Sequence, residues 1–243
     1  MSDAVLFDAR DDGIAVITLN RPEARNALGK EIRDGLFVAW DRFERDPALR
    51  VAILTGSGDK AFCAGGDLKE MTELRLTVPP RDMFPVPGDT IELTKPTIAA
   101  VNGVAFAGGW MIAQACDLCV ASTRAQFAIT EVKVGRSSPW AAPLIHMIPQ
   151  RIMMEIVLTG KPIGAQRAYE IGLVNRLAEP EQLMTAALEL AAEILEGAPL
   201  SVRAARDMVM LSTEMGRSAA LRASSSGRRP RPGRGRGHPA RRG

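Results

Sequence analysis

The order of apolar and polar positions in the first half of the chain predicts strands that alternate with helices. Apolar and polar residues alternate on both sides of the turn signal Asp12-Gly13, which indicates two short strands before Pro22. From 27 to 46 the apolar residues recur at three- and four-residue spacing, and this pattern predicts a helix that ends before Pro47. Because strands that alternate with helices need crossover connections, we expect an α/β fold with a largely parallel sheet.

The remaining apolar runs extend this pattern and then replace it with helices. Strand-like segments are VAILTGSG at 51–58, the first part of KPTIAAVNGVAFAGG at 95–109, LCVAS at 118–122 and the short AQFAITE at 125–131. Helical patterns cover 110–117, 149–159, 164–171, 180–196 and 199–222. The segment 75–94 carries four prolines and little periodicity, so we expect a mobile loop that is helical only near its ends.

Composition indicates a soluble protein with a separate basic tail. Hydrophobic residues make up 46% of the 243 positions, and no apolar run reaches the roughly 18 residues of a membrane span. The acidic start MSDAVLFDARDDG lacks the features of a secretory signal, so we expect a cytoplasmic location and no membrane partner. The net charge of +3 becomes −4 without the seven arginines of residues 224–243. That segment lacks large aliphatic residues, and we expect it to be disordered.

Three cysteines bear on the question of a metal site. Cys116 and Cys119 form a Cys-x-x-Cys pair, but neither a second pair nor a nearby histidine completes a zinc site. Cys63 stands alone. We therefore expect reduced thiols in the core and no bound metal.

Two segments share one chemical pattern, a strand end followed by a glycine pair and a helix start. They are AFCAGGDLKE at 61–70 and AFAGGWMIAQACD at 105–117. Bare backbone N–H groups at the first turn of a helix have no intrahelical partner, so two such turns side by side can bind a developing negative charge. Tight strand-to-helix turns alone would explain each pair equally well. The sequence contains neither of the two familiar phosphate-binding glycine loops.

Six motifs in this order resemble the enoyl-CoA hydratase/isomerase, or crotonase, family from about residue 5 to about 222. They are NRPEARNAL, AFCAGGDLKE, AAVNGVAFAGG, ACDLCVAS, AQFAITEVKVG and LTGKPIGAQRAYEIGLVNRL. The resemblance implies a ββα superhelix of two roughly perpendicular sheets flanked by helices. It also implies acyl-CoA substrates, with coenzyme A part of the substrate and no metal or redox cofactor, and a homotrimer or dimer of trimers. The expected parts are a core at 1–178, a helical oligomerisation region at 179–223 and the tail at 224–243.

The resemblance also assigns roles to single residues. The backbone N–H groups of Gly66 and Gly108 match the two donors of an oxyanion hole for the thioester oxygen. The positions that match the coenzyme A contacts of the family are Ala24, Arg25, Ala64, Gly65, Asp67 and Leu68. For Arg25 a solvated surface charge remains the alternative.

One family position departs from the hydratase pattern. Hydratases of this family hold water with two glutamates, and the resemblance places Met111 at the first and Glu131 at the second. Pro139 and Trp140 stand where the family often has a glycine-rich run, which predicts a reshaped acyl pocket. A single carboxylate suffices to move a proton between two carbons, whereas hydration also needs an oriented water.

These observations favour an enzyme that stabilises a thioester enolate, with Glu131 as acid and base and with isomerase-like chemistry ahead of efficient hydration. A 2-enoyl-CoA hydratase with a single glutamate remains the alternative within the enzyme class. Outside that class, the alternatives are an RNA-binding protein and a non-catalytic protein with the crotonase fold. The arginine-rich tail resembles RNA-binding segments, but it lacks the interleaved aromatic residues that stack on bases. We therefore do not expect a nucleic-acid partner.

Overall fold

The computed structural model describes residues 3–74 and 80–226, in two compact units that divide after Pro199. The strands are β1 (Val5–Ala9), β2 (Ile14–Leu19), β3 (Val51–Gly56), β4 (Ala61–Cys63), β5 (Thr97–Val101), β6 (Val104–Phe106), β7 (Leu118–Ser122), β8 (Gln126–Ala128), β9 (Ile163–Gly164) and β10 (Arg176–Ala178). The helices are α1 (Lys30–Arg45), α2 (Leu68–Glu73), α3 (Gly108–Gln114), α4 (Gln150–Thr159), α5 (Ala165–Glu170), α6 (Leu183–Leu195), α7 (Pro199–Glu214) and α8 (Arg217–Ser226). Short 3-10 helices include Glu131–Val134 and Pro139–His146.

The strands form two mixed sheets in the first unit. The larger has the order β1-β2-β3-β5-β7-β10, in which only β1 and β2 pair antiparallel. The smaller has the order β4-β6-β8-β9, with β4, β6 and β8 parallel and β9 antiparallel to β8. In the larger sheet β3, β5 and β7 are each followed, within a few residues of chain, by a strand of the smaller sheet: β4, β6 and β8 respectively. This repeat brings the carboxyl ends of β4, β6 and β8 side by side.

The central strands of the larger sheet are buried on both faces, which explains why β3 is a largely apolar run. Leu54 points to the face covered by α1 and belongs to the cluster that contains Trp40 of that helix. Ile53 points to the opposite face and packs in the cluster with Ala187 of α6. Parallel strands covered on both faces carry apolar residues at every position instead of every second one.

The carboxyl end of α1 is closed by a buried lysine. The ammonium of Lys95 donates to the carbonyl oxygen atoms of Phe43 at 2.7 Å and Asp46 at 2.6 Å. A cation in this position satisfies carbonyl groups that have no partner within the helix and interacts favourably with the helix dipole.

The structure confirms the predicted alternation of strands and helices and changes several details of it. The extended piece predicted at 125–131 contains the strand β8, and 3-10 helices follow at 131–134 and 139–146, where no regular element was predicted. The short strands β9 and β10 were not predicted. They form by pairing with β8 and β7, which are distant in the sequence, so no local pattern marks them. The last predicted helix is two helices separated at Gly216, and α8 continues to Ser226. The first five positions of the predicted loop, 75–79, and nearly all of the predicted tail, 227–243, lie outside the described residues.

Candidate active site

The segments that carry the candidate residues follow the adjacent carboxyl ends of three parallel strands. Gly66 lies three residues after β4, Gly108 two residues after β6, and Glu131 three residues after β8. The pairs β4 with β6 and β6 with β8 fix this order, and Ala107 N–H extends it by donating to the carbonyl oxygen of Ala128 at 2.8 Å. Three residues far apart in sequence therefore belong to one edge of the smaller sheet.

The two glycine turns pack directly against each other. A Cβ atom added at Gly65 would lie 3.6 Å from the backbone nitrogen of Gly108, and one added at Gly108 would lie 3.6 Å from the nitrogen of Gly66. Gly65 has a φ of 107°, which side-chain-bearing residues rarely adopt. At Gly109 an added Cβ would lie 2.0 Å from the carbonyl oxygen of Cys63. The close approach of the two turns thus depends on residues without side chains.

The N–H groups of Gly66 and Gly108 are both available for a ligand. Among residues 3–74 and 80–226, neither group donates to a protein acceptor. Gly108 is the first residue of α3, where helical geometry leaves the N–H without an internal partner. The preceding Ala107 has φ 49° and ψ −119°, a strained conformation for alanine, and it turns the chain into the helix at this point.

Two ion pairs stabilise the segment that follows the first glycine turn. Asp67 caps α2 by accepting from Glu70 N–H at 3.2 Å, and its carboxylate lies 3.6 Å from Nη1 of Arg21. The carboxylate of Glu70 receives two bonds from the buried guanidinium of Arg33, at 2.7 and 3.1 Å. Hydrogen bonding by Arg33 lowers the pKa of Glu70. This arrangement joins α2 to α1 and holds the turn between them.

The residues matched to coenzyme A contacts surround the same turn. The N–H of Ala64 donates to the carbonyl oxygen of Arg25 at 3.0 Å, and the N–H of Leu28 donates to that of Gly65 at 2.7 Å. Arg25 itself is exposed and has a left-handed backbone with φ 51°. The structure therefore brings Ala24 and Arg25 next to the 64–67 segment, with Leu68 as the first residue of α2.

Asn26 holds this neighbouring loop in place. Its buried side-chain amide donates to the carbonyl oxygen atoms of Ser57 at 3.0 Å and Ala61 at 2.9 Å, and its oxygen accepts from Arg21 N–H at 2.9 Å. A buried amide with three partners is well satisfied. Asn26 therefore couples the Arg25 loop to the start of β4.

Glu131 lies in a half-buried position at the start of a 3-10 helix. The indole N–H of Trp140 donates to its Oε1 at 2.8 Å. Its Oε2 is buried and has no hydrogen-bond partner among the described residues. Burial raises the pKa of the Glu131 carboxyl, because it disfavours the charged form more than the Trp140 bond favours it. One carboxylate oxygen is thus fixed and the other is free.

Helix α3 carries Met111 and Gln114, and Gln114 contacts the residue that binds Glu131. Met111 is buried, with 7% of its surface exposed, and it stands one helical turn after Gly108. Trp110 is fully buried and makes an edge contact with Phe127, so it belongs to the core. One turn further, Nε2 of Gln114 donates to the carbonyl oxygen of Trp140 at 2.7 Å, while its Oε1 is buried without a partner among the described residues.

The three cysteines have no chemical role at this site. None of the three cysteines forms a disulfide and all three are buried, and burial raises the pKa of Cys63 and of Cys119 to about 12. A neutral buried thiol is a weak nucleophile. Within the described ranges, no group of three or more His, Cys, Asp or Glu side chains could hold a metal ion. No helix of the same ranges is long and apolar enough to cross a membrane.

Several of these partners could not be assigned from the sequence. Arg33, Gln114 and Trp140 act through contacts with residues 37, 26 and 9 positions away, and no local pattern marks them. The capping of α2 did leave a signal. Asp67 and Glu70 have the spacing of an N-cap residue and its third-position glutamate, which identifies a helix start.

Comparison with known proteins agrees with this fold. The enoyl-CoA hydratase/isomerase family model matches residues 9–227. (E)-Benzylidenesuccinyl-CoA hydratase of Thauera aromatica is 43% identical over 209 residues, which cover 83% of this chain and 80% of that protein. Carnitinyl-CoA dehydratase of Salmonella paratyphi A is 40% identical over 212 residues, covering 85% and 80%. The crystal structure of enoyl-CoA hydratase from Mycobacterium tuberculosis H37Rv has a TM-score of 0.83 and 39% identity, covering 92% of this chain and 88% of that one.

The two mixed sheets and these likenesses define the class as enzymes with the crotonase-like fold. The chain belongs to the enoyl-CoA hydratase/isomerase family and is an enzyme of that family. The predictions of family, fold class and enzyme class are confirmed.

Proposed function

We propose that this enzyme forms a thioester enolate, with Gly66 and Gly108 as oxyanion donors and Glu131 as the group that accepts and returns the proton. The observation that carries the proposal is the Glu131 carboxylate. One of its oxygens is fixed by Trp140, the other is buried and unpartnered, and its pKa is raised by burial. A carboxylate with a raised pKa transfers protons more effectively near neutral pH than one in water.

The reaction follows from these parts. The C–H bond next to the thioester carbonyl breaks, its proton goes to Oε2 of Glu131, and its electron pair delocalises onto the thioester oxygen. Two backbone N–H groups stabilise that oxygen, and one such donor contributes about 3 to 4 kcal/mol in well-studied cases. In a 3-enoyl-CoA, return of the proton to C4 instead of C2 shifts the double bond to C2–C3 and completes an isomerisation.

Met111 decides between this isomerisation and hydration. The adjacent turn of α3 offers a buried thioether where the family's hydratases have a second carboxylate. A thioether is only a weak hydrogen-bond acceptor, so it orients a water molecule poorly. We therefore favour enolate chemistry such as double-bond isomerisation. Hydration of a 2-enoyl-CoA with Glu131 alone is the second candidate, and the hydratase and dehydratase names of the relatives support it.

The binding of coenzyme A is proposed for the segment around the first glycine turn. Arg25 adjoins Ala64 and Leu28 adjoins Gly65 through the backbone bonds described above. Ala24 precedes Arg25 in the chain, and Asp67 and Leu68 follow in the segment of Ala64 and Gly65. Arg25 is exposed and available to pair with phosphate. The reaction as written needs no metal or redox cofactor, because the electron pair stays within the substrate.

Assembly into a homotrimer or a dimer of trimers in the cytoplasm is part of the proposal. Support comes from large apolar side chains that are exposed on the segment from 132 to 169. Val134 is 70% exposed and Leu158 is 68% exposed, and the α4 helix that carries Leu158 packs beside both 3-10 segments. Exposed apolar side chains grouped in this way favour contact with another protein surface.

Liquid chromatography, which separates the double-bond isomers, coupled to mass spectrometry of the products from 2-enoyl-, 3-enoyl- and 3-hydroxyacyl-CoA substrates tests the proposed reaction. We expect 3-enoyl-CoA to yield 2-enoyl-CoA of unchanged mass, with slower formation of the 3-hydroxyacyl product, which is one water heavier. In deuterated water the isomerised product should carry deuterium from exchange at Glu131. Efficient hydration together with no isomerisation would favour the second candidate. No conversion of any acyl-CoA by folded enzyme would contradict both.

A further inference from the structure

Two hydrogen bonds connect the helix of the second glycine turn with Glu131. Gln114, the last residue of α3, donates from Nε2 to the carbonyl oxygen of Trp140 at 2.7 Å. The indole N–H of Trp140 then donates to Oε1 of Glu131 at 2.8 Å. Gly108 is the first residue of the same helix. The donor turn and the carboxylate are therefore linked by one rigid helix and two polar contacts.

Trp140 can hold the carboxylate because its own segment is tightly wound. It is the second residue of a 3-10 helix that begins at Pro139. The proline fixes φ at the helix start, and Ala141 N–H donates to the carbonyl oxygen of Ser138 at 2.9 Å. The indole is half-buried, and the carbonyl of the same residue is held by Gln114. The backbone carbonyl and the indole of Trp140 are thus each held by a hydrogen bond.

We infer that Trp140 is a positioning residue for the proton transfer, and that it holds Glu131 with one oxygen fixed and the other free to face the substrate carbon. Gln114 acts one step further away by fixing Trp140. This inference rests on the proposed role of Glu131.

The hydrogen bond from Trp140 to Glu131 should affect both the orientation and the pKa of the carboxylate. A carboxylate with one oxygen held by a tryptophan N–H has less rotational freedom, so more of its population is ready to accept the proton. The bond also favours the ionised carboxylate and opposes part of the effect of burial on its pKa. Loss of the N–H should therefore misalign Glu131 and raise its pKa further.

Replacing Trp140 with phenylalanine removes the N–H and keeps an aromatic ring. We expect kcat at neutral pH to fall about tenfold while the KM for acyl-CoA changes less than about threefold, since a bond to a charged group is lost but binding contacts remain. The acid limb of the kcat/KM profile against pH should move to higher pH. A merely structural role would lower activity without moving that limb.

The matched control is Trp40→Phe, which makes the same substitution in the core cluster under α1. The indole nitrogen of Trp40 is buried and has no partner among the described residues, so its loss breaks no link to Glu131. We expect the acid limb of this variant to stay at the wild-type position. Gln114→Met is the second variant and should move the limb in the same direction by a smaller amount. If Trp140→Phe does not fold, the position of the acid limb in Gln114→Met tests the inference instead.

The outcomes separate this inference from the proposed function. If Glu131→Gln abolishes turnover while folded Trp140→Phe keeps the wild-type kcat and acid limb, the inference is wrong and the role of Glu131 stands. If Glu131→Gln stays active, the proposed function is wrong. An upward shift in Trp140→Phe that is smaller in Gln114→Met and absent in Trp40→Phe supports the inference.

Discussion

Replacing Gly108 with alanine would place a methyl group beside the two unpartnered N–H groups. The added Cβ would lie 3.6 Å from Gly66 N, and we expect it to crowd a thioester oxygen bonded at about 2.9 Å to both donors. The oxygen would lose at least one donor. We therefore expect kcat to fall about 10²- to 10³-fold, the equivalent of about 2.7 to 4 kcal/mol.

The same substitution should leave the fold nearly intact. The nearest atom to the added methyl is Cδ1 of Leu28 at 3.0 Å, the flexible end of a side chain that needs to move only slightly. Gly108 is helical, and alanine is more favourable than glycine in a helix by about 1 kcal/mol. By contrast, Gly109→Ala would drive its methyl to 2.0 Å from the Cys63 carbonyl oxygen and should disrupt folding. Gly164→Ala, with no atom within 4 Å, is the neutral control.

The assay follows the conversion of 3-enoyl-CoA and 2-enoyl-CoA by liquid chromatography, which separates the two isomers, coupled to mass spectrometry. The folded state of each variant is checked by circular dichroism and thermal unfolding. Gly108→Ala should unfold cooperatively near the wild-type temperature and lose most of its turnover. Gly164→Ala should match the wild type in both respects. A folded Gly108→Ala variant with turnover within about threefold of the wild type would refute the placement of the oxyanion donors.

The remaining predictions concern Met111, Lys95 and the stability effect of Glu131. Met111→Glu should raise the ratio of hydrated to isomerised product by mass spectrometry, because it adds a water acceptor on α3, and no gain in a folded variant would indicate that the pocket excludes water for another reason. Lys95→Met should lower the free energy of unfolding in urea by about 3 kcal/mol, because the carbonyls of Phe43 and Asp46 lose a charged donor; a loss below about 1 kcal/mol would contradict this. Burial raises the pKa of Glu131 in the folded protein. The charged carboxylate therefore destabilises the fold only at higher pH: this destabilisation is absent below the ordinary carboxyl pKa and develops as the pH rises through the raised pKa of the folded state. Glu131→Gln should therefore melt above the wild type at pH 7 but equally at about pH 4, and the reverse order would contradict the burial of this charge.

Local patterns in the sequence identify the parts of the site that lie within one short segment. The glycine pairs at 65–66 and 108–109 mark strand-to-helix turns, and the structure confirms such a turn after both β4 and β6. Helix α1 follows from its spacing of apolar residues, and the structure places it at Lys30–Arg45 within the predicted 27–46. These features depend on backbone conformation and periodicity, which a short stretch of sequence determines.

Contacts between distant segments are not determined in this way. The bond from Trp140 to Glu131 requires both intervening 3-10 helices to wind as they do, and the extended conformation predicted for the stretch ending at Glu131 gave no indication of it. The Arg33 and Glu70 pair joins two helices across 37 positions. Strand β10 has three residues and is stabilised by pairing with β7, so its own sequence carries too weak a pattern to predict.

The central claim, that Glu131 alone moves the proton, is tested most directly by the turnover of Glu131→Gln. Glutamine keeps the shape and the partner at Trp140 but cannot accept a proton, so we expect turnover of 3-enoyl-CoA to fall by at least about 10³-fold. Acyl-CoA affinity, measured by calorimetry, should stay within a few-fold of the wild type. Glu155→Gln, on the exposed surface of α4, is the matched control and should be fully active. Retention of most activity by folded Glu131→Gln would contradict the account.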